Sequence, residues 1–458
     1  MIAKNHISKF PFYLAGRHLL FVLISMLLPF LAGCSEKQMN VLFIMADDLK
    51  PLAGCYGDPL VKTPNMDVLA AEGFLFEQAA CQYPLCAPSR ASILTGLRPE
   101  TLQCFQNKHR FRDKLPDIIT LPEAFRQAGY HTVSLGKVFD SRNPDPGAWD
   151  ERYWVNVPFE YGDGAEMKLY ALEENNRLFK ENREQIRTAN PAERRKLWTM
   201  GPAYESAPLD NLKYPEGLIT ERAIELLRQM KDKPFFFGIG FWKPHVPFVC
   251  PEKYWDLYSR EDIRLAPNPD RPQNSLDIAY HEGFELRGYH GIPKAGKLDD
   301  ELARTLIHGY YACTSFIDEM LGKILDELEA LGLADNTIIV FMGDHGYHLG
   351  DKEIWCKMTA FQKSSLTPLI VVDPRIKGGQ RVGGLVEFVD ICPTLCELTG
   401  INPPENLEGI SFVPLLDEPS RDWKKAIFSQ TSRGRNWEEF IGTSMRTENY
   451  NYVEWRHR

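Results

Sequence analysis

The sequence Asn40-Val-Leu-Phe-Ile-Met-Ala-Asp-Asp48 is a continuous apolar run that ends in two adjacent carboxylates. An apolar run without alternating polar residues is typical of a parallel strand that is buried on both faces. Open α/β sheets bind ligands at the carboxyl ends of such strands, although a solvated turn would also place carboxylates there. The run therefore predicts an α/β fold whose site includes Asp47 and Asp48.

A second run of the same kind, Asn336-Thr-Ile-Ile-Val-Phe-Met-Gly-Asp-His-Gly346, leads into a carboxylate and an imidazole. We expect the two strand ends to meet at one edge of the sheet. Adjacent carboxylates repel each other unless a cation lies between them, and calcium binds several oxygen ligands. The two runs therefore predict a hard divalent cation site that also includes Asp344 and His345.

Two further candidate strands end in cationic residues. His131-Thr-Val-Ser-Leu-Gly-Lys137 ends in a lysine, and Phe235-Phe-Phe-Gly-Ile-Gly-Phe-Trp-Lys-Pro-His245 ends in a lysine and a histidine. A single cation at a strand end is usually just solvated, but its recurrence at successive strand ends favours a shared site. Segments with apolar residues at three- and four-residue spacing alternate with these strands, as a doubly wound sheet requires. The predicted helices are Leu121–Ala128, Ile219–Met230 and Leu302–Leu331.

The stretch Cys86-Ala-Pro-Ser-Arg90 joins a soft nucleophile to a cation and is followed by Leu94-Thr-Gly96. Pro88 suits a first helical turn, so the spacing of four predicts that Cys86 and Arg90 share one face at a helix N-terminus. Such a position attracts anions and lowers the pKa of a thiol. The alternative is a core cysteine beside a surface arginine, because this spacing also occurs by chance.

The longer string resembles the signature of the type I sulfatases, in which the cysteine is oxidised to Cα-formylglycine. The resemblance implies an alkaline-phosphatase-like sulfatase fold, with a large, mostly parallel sheet flanked by helices and a small C-terminal subdomain. It also implies that a formylglycine-generating maturation enzyme converts Cys86 to the aldehyde that carries the chemistry. Asp47, Asp48, Asp344 and His345 match the ligands of one Ca2+ ion in the iduronate-2-sulfatase branch, with residue 86 as a further ligand.

The family mechanism implies roles for further residues. A hydroxyl of the hydrated aldehyde attacks sulfur, the sugar oxygen leaves, and the second hydroxyl expels sulfate and regenerates the aldehyde. By resemblance, Arg90 and calcium set up the nucleophile, while calcium, Lys137 and Lys357 hold the sulfate oxygens. His245 would protonate the leaving alkoxide. The expected activity is hydrolysis of sulfate esters on a sulfated sugar or glycan.

Two positions depart from the pattern of the nearest relatives. The family typically has histidine where this chain has Asp140, and arginine or histidine where it has Leu366. The family's histidine is placed to take the proton that drives sulfate out, and an aspartate could accept that proton as well. The alternative is that Asp140 faces away from the pocket. A 2-O-sulfated uronate is the leading substrate candidate, and the sequence leaves the identity of the sugar undecided.

Two other functions fit the same residues. A phosphodiesterase or phosphonate hydrolase of the same superfold would use a similar site, because a fold does not determine the chemistry. A single predicted metal site favours the monoanionic sulfate ester over a phosphate dianion. A non-catalytic, lipid-anchored glycan-binding protein would instead keep Cys86 as a thiol. The formal net charge of -9 argues against nucleic acid as a partner, because phosphate binding needs a basic face.

The first residues of the chain are typical of an export signal. Lys4, Lys9 and Arg17 precede the apolar run Leu19–Leu28, which is short for a transmembrane helix. The ending Leu31-Ala-Gly-Cys34 resembles a bacterial lipobox. The resemblance implies cleavage before Cys34, acylation of its sulfur and a membrane-anchored lipoprotein in the periplasm or at the cell surface. The alternative is a transmembrane anchor.

The 458 residues are therefore expected to form three segments. A signal peptide occupies residues 1–33, a sulfatase α/β domain occupies 34–425, and the small C-terminal subdomain begins within 426–458. In the last segment, Gly442–Trp455 resembles the first hairpin of the family's subdomain, and we expect the rest of that subdomain to be truncated. A two-stranded hairpin by itself is only marginally stable.

Overall fold

The computed structural model describes residues 38–154 and 169–458. The predicted signal peptide and Cys34 lie outside these residues. Within the described ranges, no helix combines the length and the apolar character needed to cross a membrane.

The described residues contain strands of 2 to 10 residues. They are β1 Asn40–Asp47, β2 Phe74–Phe76, β3 Ala79–Ala80, β4 His131–Gly136, β5 Glu151–Tyr153, β6 Tyr204–Ala207, β7 Phe235–Pro244, β8 Phe248–Pro251, β9 Thr337–Gly343, β10 His348–Leu349, β11 Trp355–Cys356, β12 Leu369–Val372, β13 Gln380–Val382, β14 Val386–Glu387, β15 Ile427–Arg433, β16 Phe440–Arg446 and β17 Asn451–His457.

The α-helices of the same residues alternate with the strands of the main sheet. They are Pro64–Glu72, Cys86–Thr95, Pro99–Leu102, Leu121–Gln127, Glu173–Thr188, Pro191–Arg194, Pro215–Met230, Glu252–Trp255, Asp300–Ala330, Gln362–Ser365, Ile391–Thr399 and Val413–Asp417. The three predicted helices are present, and two of them begin earlier than their apolar spacing indicated.

The strand that opens the described chain, β1, lies inside an eight-stranded sheet of order β13-β2-β12-β9-β1-β7-β4-β5. β1 pairs in parallel with β9 and β7, and β4 pairs in parallel with β7. β12 runs antiparallel to both of its neighbours, so the sheet is mixed but mostly parallel. The predicted α/β sheet is confirmed. Because these four central strands run in one direction, their carboxyl ends share one edge.

Two hydrophobic cores cover the two faces of this sheet. Every residue of β1 is buried, and its side chains alternate between the cores. Positions 42, 44 and 46 pack with the helices Pro215–Met230 and Asp300–Ala330, and positions 41, 43 and 45 pack with Cys86–Thr95 and Ile391–Thr399. A strand that is covered on both faces needs apolar residues on both, which explains its unbroken apolar sequence.

Two glycines allow β4 and β7 to approach closely where the chain turns toward the site. Gly136 has a φ of +70°, a conformation that favours glycine. A Cβ on Gly240 would lie 1.9 Å from the carbonyl oxygen of Lys137. The N–H of Lys137 donates to the Gly240 carbonyl at 2.9 Å. The glycines therefore hold Lys137 against the end of β7.

The C-terminal residues form a separate antiparallel sheet. The predicted hairpin is present as β16 and β17, and β15 adds a third strand that pairs with β16. Ile427 at the start of β15 packs in a small buried cluster with Ala80, Leu366 and Leu385. Leu366 therefore lies in a hydrophobic contact between the C-terminal sheet and the preceding part of the chain.

Candidate active site

The two predicted acidic strand ends meet at the carboxyl edge of the main sheet. Asp47 ends β1 and Asp48 follows it, Asp344 and His345 follow β9, and all four residues are buried. The Asp48 N–H donates to Asp344 Oδ1 at 3.0 Å, and Tyr310 Oη donates to the Asp48 carbonyl at 2.7 Å. The parallel pairing of β1 and β9 thus brings Asp47 and Asp48 next to two residues that follow about 300 positions later in the chain.

The hydrogen bonding of His345 sets its orientation. Nδ1 lies 3.1 Å from the Gly346 carbonyl, which can only accept, so Nδ1 carries the proton. Nε2 points into the cluster, 3.5 Å from Cys86 Sγ, 3.4 Å from Asp48 Oδ1 and 3.6 Å from Asp344 Oδ2, where a cation would lie between these groups. A backbone carbonyl that fixes the tautomer in this way is typical of a histidine that binds metal.

Arg90 connects the helix Cys86–Thr95 to the carboxylates. As the spacing predicted, Cys86 opens this helix and Arg90 lies one turn later. Arg90 Nε donates to Asp344 Oδ2 at 2.9 Å, and Nη2 lies 3.3 Å from Asp47 Oδ1. Nη1 donates to the carbonyls of Lys137 and Val138. The arginine is fully buried, so the alternative of a surface residue is wrong.

The thiol of Cys86 is buried at the centre of the cluster. The helix N-terminus was expected to lower its pKa, but the pKa is raised well above the ordinary value. Burial is the main cause, and the negative charge of Asp47 adds to it. The expectation is therefore wrong, because the loss of water destabilises the thiolate more than the helix N-terminus and the two lysines stabilise it.

Lys137 and Lys357 lie on either side of the acidic pair. Lys137 Nζ contacts Asp47 Oδ2 at 2.5 Å, and Lys357 Nζ contacts both oxygens of Asp48 at 2.8 and 3.0 Å. Lys357 Nζ also lies 3.8 Å from Cys86 Sγ. Carboxylates raise the pKa of both ammonium groups against the opposing effect of burial. Both lysines are therefore protonated and place a positive charge at the centre of the site.

His245 faces a carboxylate that the sequence reasoning missed. Its Nε2 lies 3.0 Å from Glu285 Oε1 and 3.8 Å from Asp48 Oδ2, while Nδ1 lies 2.5 Å from the Val246 carbonyl. Both ring nitrogens thus face acceptors, which suits the doubly protonated ring. Burial lowers the pKa of His245, but the charges of Asp48 and Glu285 outweigh burial and raise it. The geometry favours an imidazolium that holds a proton at the site.

Glu285 contacts both cationic residues on its side of the site. Besides His245, it pairs with Lys357 Nζ at 3.3 Å. It belongs to a long stretch of loops and short 3-10 turns between the helices Glu252–Trp255 and Asp300–Ala330. One acidic residue in an irregular loop gives no periodicity or spacing from which its destination could be predicted, so only the tertiary structure identifies it.

Asp140 is held between two cations. Its carboxylate accepts from Arg142 Nε at 2.7 Å and Arg142 Nη2 at 2.9 Å, and lies 3.7 Å from Lys137 Nζ. Burial opposes ionisation, but Arg142 and Lys137 lower the pKa of Asp140 to about 2. A carboxylate with so low a pKa is a weak base. The base role expected for Asp140 stays a prediction, and its contacts favour a role in positioning Arg142.

The donor set suits a hard divalent cation. Ligand atoms of Asp47, Cys86, Asp344 and His345 all lie within 4.8 Å of one another, and Asp47, Asp48 and His245 form a second such group. Carboxylate oxygens are the ligands that calcium prefers, whereas the sulfur of Cys86 is a soft ligand. An oxygen in place of that sulfur would leave a set of oxygen donors with one imidazole nitrogen, from His345. The residues therefore fit a calcium ion together with an oxidised residue 86.

A cavity of about 310 Å³ opens onto this cluster. Its walls include Cys86 and the charged residues Lys137, Arg142, His245, Glu285 and Lys357, together with the aromatic residues Trp242, Phe284 and Tyr289. Phe284 is 46% exposed, so the cavity has an apolar surface beside the charges. A pocket of this size that combines charged groups with aromatic walls suits a small, anionic organic ligand.

Comparison with known proteins identifies the family. The model of the Sulfatase family matches residues 39–401, and these include all the site residues described above. The chain belongs to the sulfatase family. Iduronate 2-sulfatase of Homo sapiens is 32% identical to this sulfatase over 425 residues, which cover 83% of the present chain and 72% of the human protein. A sulfatase of Formosa agariphila is 31% identical and covers 91% of this chain and 78% of its own.

The sulfatase is thus a sulfuric ester hydrolase of the iduronate-2-sulfatase-like branch. Phosphonate monoester hydrolase of Agrobacterium radiobacter has the same fold, with a TM-score of 0.73 at 24% identity over 91% of this sulfatase and 87% of that chain. This structural likeness and the mostly parallel sheet confirm the alkaline-phosphatase-like fold that the sequence predicted.

Proposed function

We propose that this sulfatase removes sulfate from a sulfated sugar or glycan through a formylglycine formed from Cys86, with one bound Ca2+ ion. The leading substrate is a 2-O-sulfated uronate. The observation that carries the proposal is that four cationic side chains, Arg90, Lys137, His245 and Lys357, surround the carboxylates of Asp47 and Asp48 beside Cys86.

Charge balance explains why this site suits a sulfate ester. The carboxylates of Asp47, Asp48 and Asp344 are paired with Arg90, Lys137 and Lys357, so these six side chains are close to neutral together. A divalent cation would leave them with a net positive charge. Positive charge that is fixed in a buried site stabilises the charge that develops on the sulfate oxygens during transfer.

The chemistry at residue 86 requires oxygen rather than sulfur. A hard cation binds oxygen ligands, and Cys86 Sγ is the soft atom in a set that otherwise offers carboxylate oxygens and one imidazole nitrogen. The hydrated aldehyde of formylglycine would supply both an oxygen ligand and the nucleophile. Its formation requires a formylglycine-generating maturation enzyme, which we propose as a partner of this chain.

The remaining residues bind the sulfate and move a proton. Lys137 and Lys357, which line the cavity together with residue 86, hold the sulfate oxygens, and Arg90 keeps Asp47 and Asp344 in place. His245 holds a proton at Nε2 for the sugar oxygen that leaves, since an alkoxide is a poor leaving group until it is protonated. Glu285 orients His245 and Lys357 and keeps the imidazole protonated.

The cavity and the relatives support a sugar as the substrate. An exposed aromatic ring such as Phe284 can cover the apolar face of a sugar, while the charged wall meets its sulfate. The human relative named iduronate 2-sulfatase supports a 2-O-sulfated uronate as the leading candidate. A cavity of about 310 Å³ has room for a monosaccharide unit at the end of a glycan.

Mass spectrometry and a substrate panel test the proposal together. The peptide that contains residue 86 should carry an aldehyde when the chain is produced with the maturation enzyme, and Cys86→Ala should lack both the aldehyde and the activity. The purified enzyme should hydrolyse sulfated oligosaccharides faster than a phosphonate monoester. An unmodified thiol in an active preparation, or a clear preference for the phosphonate, would overturn the proposal.

We also propose that the chain is exported and anchored through an acylated Cys34. The proposal rests on the leader sequence and the lipobox-like ending. Two or more acyl chains anchor a protein stably, whereas one is marginal. In a bacterial host the wild-type chain should incorporate labelled fatty acid and sediment with membranes, and Cys34→Ser should do neither. Equal labelling of both chains would contradict the anchor.

A further inference from the structure

Arg142 is the cation of the cavity that the sulfatase mechanism does not use. Its side chain is 38% exposed, whereas Lys137 and Lys357 are nearly fully buried. It lines the same cavity as Cys86, Lys137, His245 and Lys357. A guanidinium here therefore faces the space next to the sulfate-binding groups.

Asp140 fixes the orientation of this guanidinium. Two parallel hydrogen bonds, from Nε at 2.7 Å and Nη2 at 2.9 Å, engage one edge of the planar group, and the backbone N–H of Arg142 donates to the same carboxylate at 3.0 Å. Side-on pairing of this kind restricts the rotamers of an arginine. The guanidinium is therefore held in place before any ligand binds.

A second copy of the same turn shows what is special about Arg142. Asp373 and Arg375 repeat the arrangement, with hydrogen bonds of 3.0, 2.9 and 2.6 Å from the backbone N–H, Nε and Nη2. Arg375 is 47% exposed, but it does not line the cavity. The turn alone is thus a local structural unit, and the cavity distinguishes Arg142 from its counterpart.

We propose that Arg142 binds a second anionic group of the sugar, either a carboxylate or a second sulfate, and so selects doubly anionic substrates. Guanidinium groups bind carboxylates and sulfates through paired, charge-assisted hydrogen bonds. Different residues then bind the two anions of the substrate. Lys137 and Lys357 hold the sulfate that is removed, and Arg142, positioned by Asp140, holds the anion that stays on the sugar. This inference rests on the proposed function and extends it to the substrate class.

The test compares substrates that differ only in the second anion. One pair is a 2-O-sulfated uronate and its carboxyl-reduced analogue, and the other is a neutral sugar with two sulfates and the same sugar with one. For Arg142→Gln, kcat/KM on the doubly anionic member should fall at least about tenfold relative to its singly anionic partner, mainly through KM. The pair that responds identifies the anion as carboxylate or sulfate.

Arg375→Gln is the matched control, because it breaks the same turn away from the cavity, and it should leave both ratios unchanged. Titration calorimetry on the Cys86→Ala background should show the same loss of affinity for the doubly anionic sugar in Arg142→Gln. Unchanged ratios in Arg142→Gln, or an equal change in Arg375→Gln, would overturn the inference alone. A wild-type enzyme that hydrolyses no sulfated sugar would overturn the proposed function and this inference with it.

Discussion

The site residues differ in how firmly their surroundings define a role. His245 has acceptors on both ring nitrogens and two carboxylates nearby, which suits an acid that gives up a proton during the reaction. Asp140 has two cations nearby, which suits a residue that stays ionised. Substitutions at these two positions should therefore have different signatures.

For His245→Ala we expect a loss that depends on the leaving group. An alkyl sulfate needs a proton on the departing oxygen, so its kcat should fall about 100-fold or more. An aryl sulfate, whose phenolate leaves without help, should lose far less. Steady-state rates on one sulfate of each kind check this, with His457→Ala at an exposed position as the control. Equal losses on both substrates would remove His245 from the acid role.

For Asp140→Ala the two candidate roles predict different products. If Asp140 takes the proton that drives sulfate out, the variant should react once and accumulate sulfated protein. If it positions Arg142, as its contacts favour, turnover should continue with weaker binding of the sugar. We expect continued turnover and no sulfated protein in intact-protein mass spectra recorded after substrate is added. An accumulated sulfate adduct would restore the base role.

At the scale of elements, contacts between strands position a site residue, and a contact between helices holds the fold together. The β4 and β7 glycines allow Lys137 to reach Asp47. Asp318, on the helix Asp300–Ala330, joins that helix to the start of Pro64–Glu72 by accepting from the backbone N–H of Asn65 at 3.1 Å and that of Met66 at 2.8 Å. Each contact predicts the result of one substitution.

Gly240→Ala should reduce both stability and activity. The new Cβ would meet the Lys137 carbonyl at 1.9 Å, so the backbone that carries Lys137 has to move. Overpacking of this kind costs about 1–3 kcal/mol or more. A lower Tm should accompany a loss of kcat/KM. Gly147→Ala is the control, since its Cβ would meet nothing within 4 Å. Full activity in Gly240→Ala would show that the close approach is dispensable.

The buried carboxyl of Asp318 should make stability depend on pH. Burial raises its pKa to about 6, against about 4 in an unfolded chain. The folded protein then binds more protons between these values, so its free energy of unfolding falls as pH rises from about 4 to about 6. Asp318→Asn should remove this contribution, which is at most about 3 kcal/mol.

Thermal unfolding across that pH range provides the measurement for Asp318. The Tm of the wild-type chain relative to Asp318→Asn should decline as pH rises, and then stay level above about pH 7. Asp326→Asn, at an exposed position on the same helix, should show no such trend. A difference that grows with pH would reverse the sign of the argument.

At the scale of the whole molecule, the metal should couple activity to stability. The proposed ligands come from two strand ends, β1 and β9, and from the helix that begins at Cys86. An ion that binds only the native arrangement of these elements stabilises it, by about 2.7 kcal/mol when the free ion is 100-fold above its Kd.

Chelation should therefore lower the Tm and remove turnover together, and added Ca2+ should restore both. Calorimetry and a sulfate-release assay on the same dialysed sample make the comparison. A chelated sample, shown to be metal-free by elemental analysis, that keeps full turnover would contradict the assignment of Asp47, Asp48, Asp344 and His345 as ligands.

Local patterns in the sequence were enough to predict the sheet, the edge that carries the site and most of the candidate residues. Three of the four central strands, β1, β7 and β9, are marked by an apolar run that stops at a charged residue, and β4 leads into Lys137. Parallel strands place such residues at one edge of the sheet. The spacing of Cys86 and Arg90 likewise predicted one helical face. These features depend on neighbours in the chain, which the sequence displays directly.

Only the tertiary structure decided what depends on distant partners. Glu285 reaches His245 and Lys357 from an irregular loop, and Arg142 enters the cavity while the equivalent Arg375 does not. The raised pKa of Cys86 reverses the expectation from its helix N-terminus because burial is a property of the whole fold. Desolvation and the pairing of charges arise from contacts between residues far apart in the chain, and no local pattern encodes them.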